Sequence, residues 1–246
     1  VLQLGGTSTL NGTAAGDVLV SGGTLVLGAA ERLADSALLE VASGATLNLG
    51  TFSETVAQAT LFGTLAGSGL LSAANYQLDG ATIDANLGSG AVTVSGGTTR
   101  LNGTSAAANL QIVSGTLMLG ASDRLADAAD VTIASGATLD LASYADTINQ
   151  LVSAGTLNGT GTLTAGQYLL SGAVVNANLG SGLLANLGGT TLLGGTVAAT
   201  DVRVNAGTVV LGAADRLADA AIVQVVSGAT LDLGAYADTV ATLPLA

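Results

Sequence analysis

Leu27-Gly28-Ala29-Ala30-Glu31-Arg32-Leu33-Ala34-Asp35 returns as LGASDRLAD at residues 119–127 and as LGAADRLAD at residues 211–219, each copy 92 positions after the last. The same offset links SGATLNLG (43–50) with SGATLDLA (135–142) and SGATLDLG (227–234), and ANLGSG (85–90) with its copy at 177–182. A chain of 246 residues therefore holds about 2.7 copies of one unit. Repetition at a fixed period points to a solenoid before any globular fold.

The unit itself subdivides. The residues that precede each strand-start Thr or its equivalent are Gly6, Gly23, Ala45, Gly63, Ala81, Gly97, Gly115, Ala137, Gly155, Ala173, Gly189, Gly207 and Ala229. From Gly23 onward their spacings repeat as 22, 18, 18, 16 and 18. Steps this short exclude helix-pair repeats, whose periods are about 33 to 47, and suit a coil of short strands. The expectation is all-β, a parallel β-solenoid of about 13 rungs of 16–22 residues in a 92-residue superperiod. Residues 1–246 then form a single solenoid, with repeat units at about 1–96, 97–188 and an incomplete 189–246.

Alternation within each step supports strands. In Thr24-Leu25-Val26-Leu27 and Thr46-Leu47-Asn48-Leu49 the leucines share one face, the period of two of a half-buried strand. A second strand per step follows the same rule: Val18-Leu19-Val20, Leu110-Gln111-Ile112 and Val202-Arg203-Val204 admit a polar residue only in the middle. Ser-Gly, Gly-Gly and Asn-Gly pairs between strands read as tight corners. The 22-residue steps owe their length to Ala-Ala-Glu-Arg-Leu-Ala-Asp-Ser-Ala (29–37) and its copies, rich in helix formers and free of Gly and β-branched residues. That composition predicts one helical turn bulging from the coil. Arg32 and Asp35, Arg124 and Asp127, and Arg216 and Asp219 have the three-residue spacing of an ion pair on one helix face.

Composition bounds the function. Apolar residues make up 49% of the chain and aromatics 2%, so Leu, Val, Ile and Ala must build the core. Phe52, Tyr144 and Tyr236 recur in register, as do Tyr76 and Tyr168, and are assigned to corners or the core edge. A carbohydrate platform is the competing reading of these rings. Seventeen acidic residues stand against five arginines, with no lysine or histidine and a formal charge of −12. A phosphate backbone or an anionic membrane surface needs clustered basic residues, so neither is an expected partner. No cysteine occurs, and no apolar run reaches the length of about 18 residues that a membrane-spanning helix needs. The ends carry no polar cap of the kind that closes a solenoid, which suggests a fragment of a longer protein.

Chemistry-bearing constellations are scarce. Without His or Cys, the usual general base, thiol nucleophile and soft metal ligands are missing. Asp79 and Asp84 are the closest candidate for a carboxylate pair of the glycosidase kind, but their copies are Ser171 and Asn176, so a surface role is expected. Asp140 and Asp232 replace Asn48 at an outward strand position, too far apart to share a calcium ion. No catalytic, cofactor-binding or metal-binding residue is therefore assigned, and no cofactor is expected.

The segments VLGAAERLADSALLEVASGATLNLG (26–50), TFSETVAQ (51–58) and FGTLAGSG (62–69) resemble the passenger-associated repeats of bacterial autotransporter adhesins and filamentous-haemagglutinin-like exoproteins. The resemblance covers nearly the whole chain, in the order LxLGAxxRLAD, SGATLxL, then an aromatic, an acid, Thr and an aliphatic residue. It implies a right-handed parallel β-helix, exported by a Gram-negative cell and displayed or released as a stalk or adhesive fibre. The handedness agrees with the general preference for right-handed crossovers. The implied receptor, on a host, a surface or another cell, is reached through other parts of the parent protein. Two rival readings are a self-assembling extracellular filament or biofilm-matrix subunit and, from another class, a β-helix polysaccharide lyase or hydrolase with charges clustered on adjacent rungs.

Overall fold

The computed structural model describes residues 1–244; among them every regular element is a β-strand, and the strand pairings within each of two compact units are parallel. The chain divides into two compact units, Val1–Ala126 and Asp127–Ala246. Each is a parallel β-solenoid whose strands alternate buried and exposed side chains.

In the first unit one sheet stacks Leu2–Gln3, Val18–Val20, Leu38–Val41, Gln58–Leu61, Asn75–Asp79, Ala91–Gly96 and Asn109–Ile112. A second stacks Thr7–Leu10, Thr24–Leu27, Thr46–Asn48, Thr64–Ala66, Thr82–Ile83, Thr98–Leu101 and Thr116–Leu119. A third, shorter face carries Ser53–Thr55, Leu70–Ser72 and Asn86–Leu87, continued by single bridges from Ala14 to Leu33 and from Leu87 to Ser105. The second unit repeats the plan. Its first sheet runs through Asp130–Ile133, Asp146–Ser153, Thr162–Ser171, Leu183–Gly188, Asp201–Val204 and Ile222–Val225. Its second runs through Thr138–Asp140, Thr156–Asn158, Val174–Val175, Thr190–Leu193, Thr208–Leu211 and Thr230–Asp232.

The alternation read from sequence decides which side chains enter the core. Leu25 and Leu27 are buried while Thr24 and Val26 are partly exposed, and Leu110 and Ile112 are buried around an exposed Gln111. Aliphatic columns therefore run from rung to rung inside each unit, with strands separated by about 4.8 Å.

The two main sheets count the repeat differently. In the first sheet the paired residues Leu19, Glu40, Thr60, Gln77, Thr93 and Gln111 span 92 residues, the sequence period. In the second, the buried ladder Leu25, Leu47, Leu65, Ile83, Leu101, Leu119 spans 94. The extra two arise at one step. Gly97 follows Ala81 by 16 residues, which would align Thr82 with Thr98, yet Thr82 pairs with Arg100, 18 residues on. A register shift accompanies this in the first sheet, where Asp79 faces Gly96 rather than Ser95. The physical reason is the leucine pattern. Inward residues recur every second position, so a shift of two keeps the same face buried.

The predicted helical turn at 29–37 does not form. Residues 28–31 are bends, Leu33 bridges to Ala14 as part of the third face, and a two-residue turn follows at Asp35 and Ser36. Glu31, Asp123 and Asp215, at equivalent places in the three copies, have φ of 51°, 56° and 54°. A left-handed residue ends any helical continuation and swings the next amides inward.

Candidate functional residues and a buried carboxylate

Glu54 sits in the middle of Ser53–Thr55 on the third face and is fully buried. Its neighbour on one side is Leu71, followed in the column by Leu87. On the other side its carboxylate meets the long corner, where Arg32 N–H donates to Oε2 at 2.8 Å and Leu33 N–H donates to Oε1 at 2.9 Å. The backbone explains the need. At other bridges of this face the amide donates to the residue just before its partner, as Ala14 does to Arg32 and Leu87 to Thr104. For Leu33 that acceptor would be the Ser53 carbonyl, but Glu31 N–H occupies it at 3.2 Å. The carboxylate stands in, forming with the left-handed Glu31 a small anion-binding concavity of successive amides.

The arrangement recurs in the second unit. Asp215 N–H donates to the Ala237 carbonyl, and Arg216 and Leu217 N–H both donate to Asp238 Oδ2, at 2.7 and 3.0 Å. Asp238 Oδ1 has no partner among the described residues. Asp146, the copy that lies 92 residues after Glu54, is likewise buried. Burial raises the Glu54 carboxyl above its ordinary range, opposed by the amides of Arg32, Leu33 and Thr55 and reinforced by the charge of Glu31. The acid was visible in the sequence as the recurring carboxylate two residues after an aromatic. Its inward orientation was not, because three residues of strand carry too little alternation to assign a face.

The arginine–aspartate pairs expected on the corner are absent at Arg32 and Arg216 among the described residues. Each guanidinium instead holds the corner to backbone. Arg32 Nε and Nη1 donate to the carbonyls of Ala30 and Asn11, Arg124 to those of Ser122 and Asn102, and Arg216 to those of Ala214 and Gly194, all at 2.9–3.1 Å. With no helix, the three-residue spacing does not bring Asp35 or Asp219 alongside.

Tyr76 and Tyr168 are not at the core edge; both rings lie in the interior, 1% and 0% exposed. Their hydroxyls reach a corner. Tyr76 Oη accepts from Ala73 N–H at 2.8 Å and Gly88 N–H at 3.0 Å and donates to the Leu71 carbonyl at 2.7 Å. Tyr168 Oη accepts from Ala165 N–H and bonds to the Leu163 carbonyl, both at 2.9 Å, and burial pushes its phenol up to about 12. Phe52 and Tyr144 are half-buried and Tyr236 is exposed, so the tyrosines inside the coil are not part of any carbohydrate platform.

Asp79 and Asp84 lie on different sheets. Asp79 ends a first-sheet strand beside Gly96, while Asp84 follows Thr82–Ile83 in the second sheet, exposed, and accepts from Asn102 Nδ2 at 2.6 Å. Asn48, Asp140 and Asp232 each turn a side-chain oxygen back to the amide two residues on, at 2.7–2.8 Å, which stabilises a corner in each copy. Asn86 and Asn178 brace equivalent corners: their Oδ1 atoms accept from the backbone N–H and hydroxyl of Thr104 and Thr196, at 3.0 and 2.8 Å in both units. No group of three or more His, Cys, Asp or Glu side chains able to hold a metal occurs among the described residues.

Outside, the first sheet carries shallow grooves, one of about 320 Å³ bordered by Asp17 and Glu40 and others lined by uncharged side chains. One of about 290 Å³ is lined by Gln58, Thr60, Asn75, Gln77 and Thr93 among others, and one of about 150 Å³ in the second unit by Asn149, Gln150, Gly166 and Gln167. Gln150 and Gln167 are the period copies of Gln58 and Asn75. Comparison of the chain with known protein families, with characterised proteins and with solved structures finds no match.

Proposed function

We propose that this chain is a structural and adhesive segment of an exported bacterial surface protein, a length of stalk or fibre with no active site of its own. The observation that carries this reading is where its polar chemistry goes. The buried carboxylate of Glu54 and the buried phenols of Tyr76 and Tyr168 all serve backbone amides and carbonyls, and the asparagine corners repeat bond for bond between units. Such groups fix a rung; they do not converge on a substrate. The amide-lined grooves present in both units supply a second support, since weak sites that recur along a chain gain avidity from repetition. The sequence resemblance to adhesin passenger repeats supplies the exported setting.

Cryo-electron microscopy of the native full-length protein at the cell surface tests the reading. A rod with rungs about 4.8 Å apart and a five-rung superperiod is the expected result. Turnover of any member of a panel of neutral and acidic polysaccharides by the purified chain would overturn it. Concentration-dependent sedimentation into long polymers would favour a filament subunit instead.

A further inference from the structure

We infer that Glu54 is a register key: its buried carboxylate selects which pair of amides the neighbouring rung presents, and so fixes strand register where the apolar pattern alone does not. The need for such a key follows from the sequence of the second sheet. Thr24-Leu25-Val26-Leu27 and Thr46-Leu47-Asn48-Leu49 present leucine at every second position. Thr24 meets Thr46 in the fold, but placing Val26 against Thr46 would still set Leu27 on Leu47 inside the core. A two-residue offset, in the opposite sense, occurs elsewhere in the molecule, where Thr82 pairs with Arg100 and not with the repeat-aligned Thr98. Alternation separates the two faces of a strand and leaves shifts of two unresolved.

Glu54 resolves them. In the native register its two oxygens receive the amides of Arg32 and Leu33, which are free because Glu31 is left-handed and takes the Ser53 carbonyl. A shift of two would carry the carboxylate away from the Arg32 and Leu33 amides, toward those of Ala30 and Glu31 or of Ala34 and Asp35, and a buried charge that lost its two donors would be left uncompensated. Leu71 and Leu87, the next residues of the same column, would accept either register. Registry is the best-attested use of a buried polar group in an apolar core. The second unit carries the same device at Asp238, whose carboxylate takes the amides of Arg216 and Leu217.

The chain has no cysteine, so engineered pairs report register without interference. The pair T24C/T46C marks the native register and V26C/T46C the shifted one. Each is introduced into the full chain with Glu54 retained and with E54L, refolded from urea and oxidised. With Glu54 the native pair cross-links and the shifted pair does not. With E54L, which sets an aliphatic side chain beside Leu71 in the column, the shifted cross-link rises about tenfold over the background with Glu54, as a change of about 1.4 kcal/mol in register preference would give. An unchanged shifted fraction in E54L, even with lower overall stability, overturns the inference and leaves Glu54 a simple corner support. Should E54L fail to refold, E54Q carries the same reporters: it keeps one acceptor but turns an NH2 donor toward one of the two backbone donors, and is also expected to raise the shifted cross-link.

Discussion

Burial disfavours the charged form of a carboxyl group, and it raises the Glu54 carboxyl above its ordinary value although two amides of the corner oppose the shift. Its proton affinity is higher folded than unfolded, so the folded state binds the proton more tightly between the ordinary value of 4.5 and the raised one. The sign follows from linkage: this group's contribution is fully present below the unfolded value and declines as pH rises through the folded one. Urea unfolding of the protein and of E54Q from pH 4 to pH 7 should therefore show the stability of the Glu54 chain, measured relative to the variant, falling with pH. A relative stability that climbs over that range would mean that the amides outweigh burial. Tyr76 makes a neutral comparison. Y76F removes the hydroxyl that accepts the Ala73 amide, whereas Gly88 N–H keeps the Leu71 carbonyl at 2.8 Å. One orphaned donor costs about 1–3 kcal/mol, and the loss should appear as a lowered urea midpoint with faster exchange at the Ala73 amide. A midpoint unchanged by Y76F would show that water replaces the hydroxyl.

At the level of elements, what could be read from the sequence was whatever depends on neighbours two residues apart. Leu25, Leu27, Leu110 and Ile112 were placed in the core by alternation and are buried there. The corner at 29–37 could not be read that way. Its composition favours helix, but the partner that decides its conformation is Glu54, 22 residues after Arg32, and local propensity yields to such a tertiary contact. The two-residue drift of the second sheet was hidden for the opposite reason, because the leucine pattern is equally content with either pairing. Gly23 shows how little freedom the corners have. Its φ is +69°, and a Cβ there would stand 2.2 Å from the Gly6 carbonyl oxygen, which accepts the Thr24 amide at 2.7 Å. Left-handed strain alone costs on the order of 1–3 kcal/mol, and the clash adds to it. G23A should lower the unfolding midpoint and speed exchange of the Thr24 amide first. Uniform exchange across the unit, with no focus at that rung, would show that the strain spreads along the column.

Across the whole molecule the repeat of 92 residues and the rung of 22 are different kinds of unit, and deletion separates them. Excising residues 24–115 removes one full period and joins Gly23 to Thr116, recreating the Gly115–Thr116 junction already present. Every long corner that remains keeps, in sequence, the acid that follows it. Excising residues 24–45 removes only the 22-residue step and joins Gly23 to Thr46, again a small residue before a strand-start threonine. The alternating apolar pattern of the sequence stays in phase across both junctions, and the second deletion spares far more of the chain. Yet it discards Arg32 and Leu33, whose amides hold the Glu54 carboxylate, and stranding one buried charge costs on the order of 3–5 kcal/mol. Solenoid stability is a sum of rung and interface terms. A chain shortened by a full period should thus unfold cooperatively in urea with a β-rich circular dichroism spectrum, while the chain missing one rung should be the less stable of the two despite its greater length. Restoring the loss in the single-rung deletion by adding E54L would identify the carboxylate as the cause. If the single-rung deletion proved the more stable without that change, stability would follow rung number alone, and the period would be a record of duplication with no mechanical meaning.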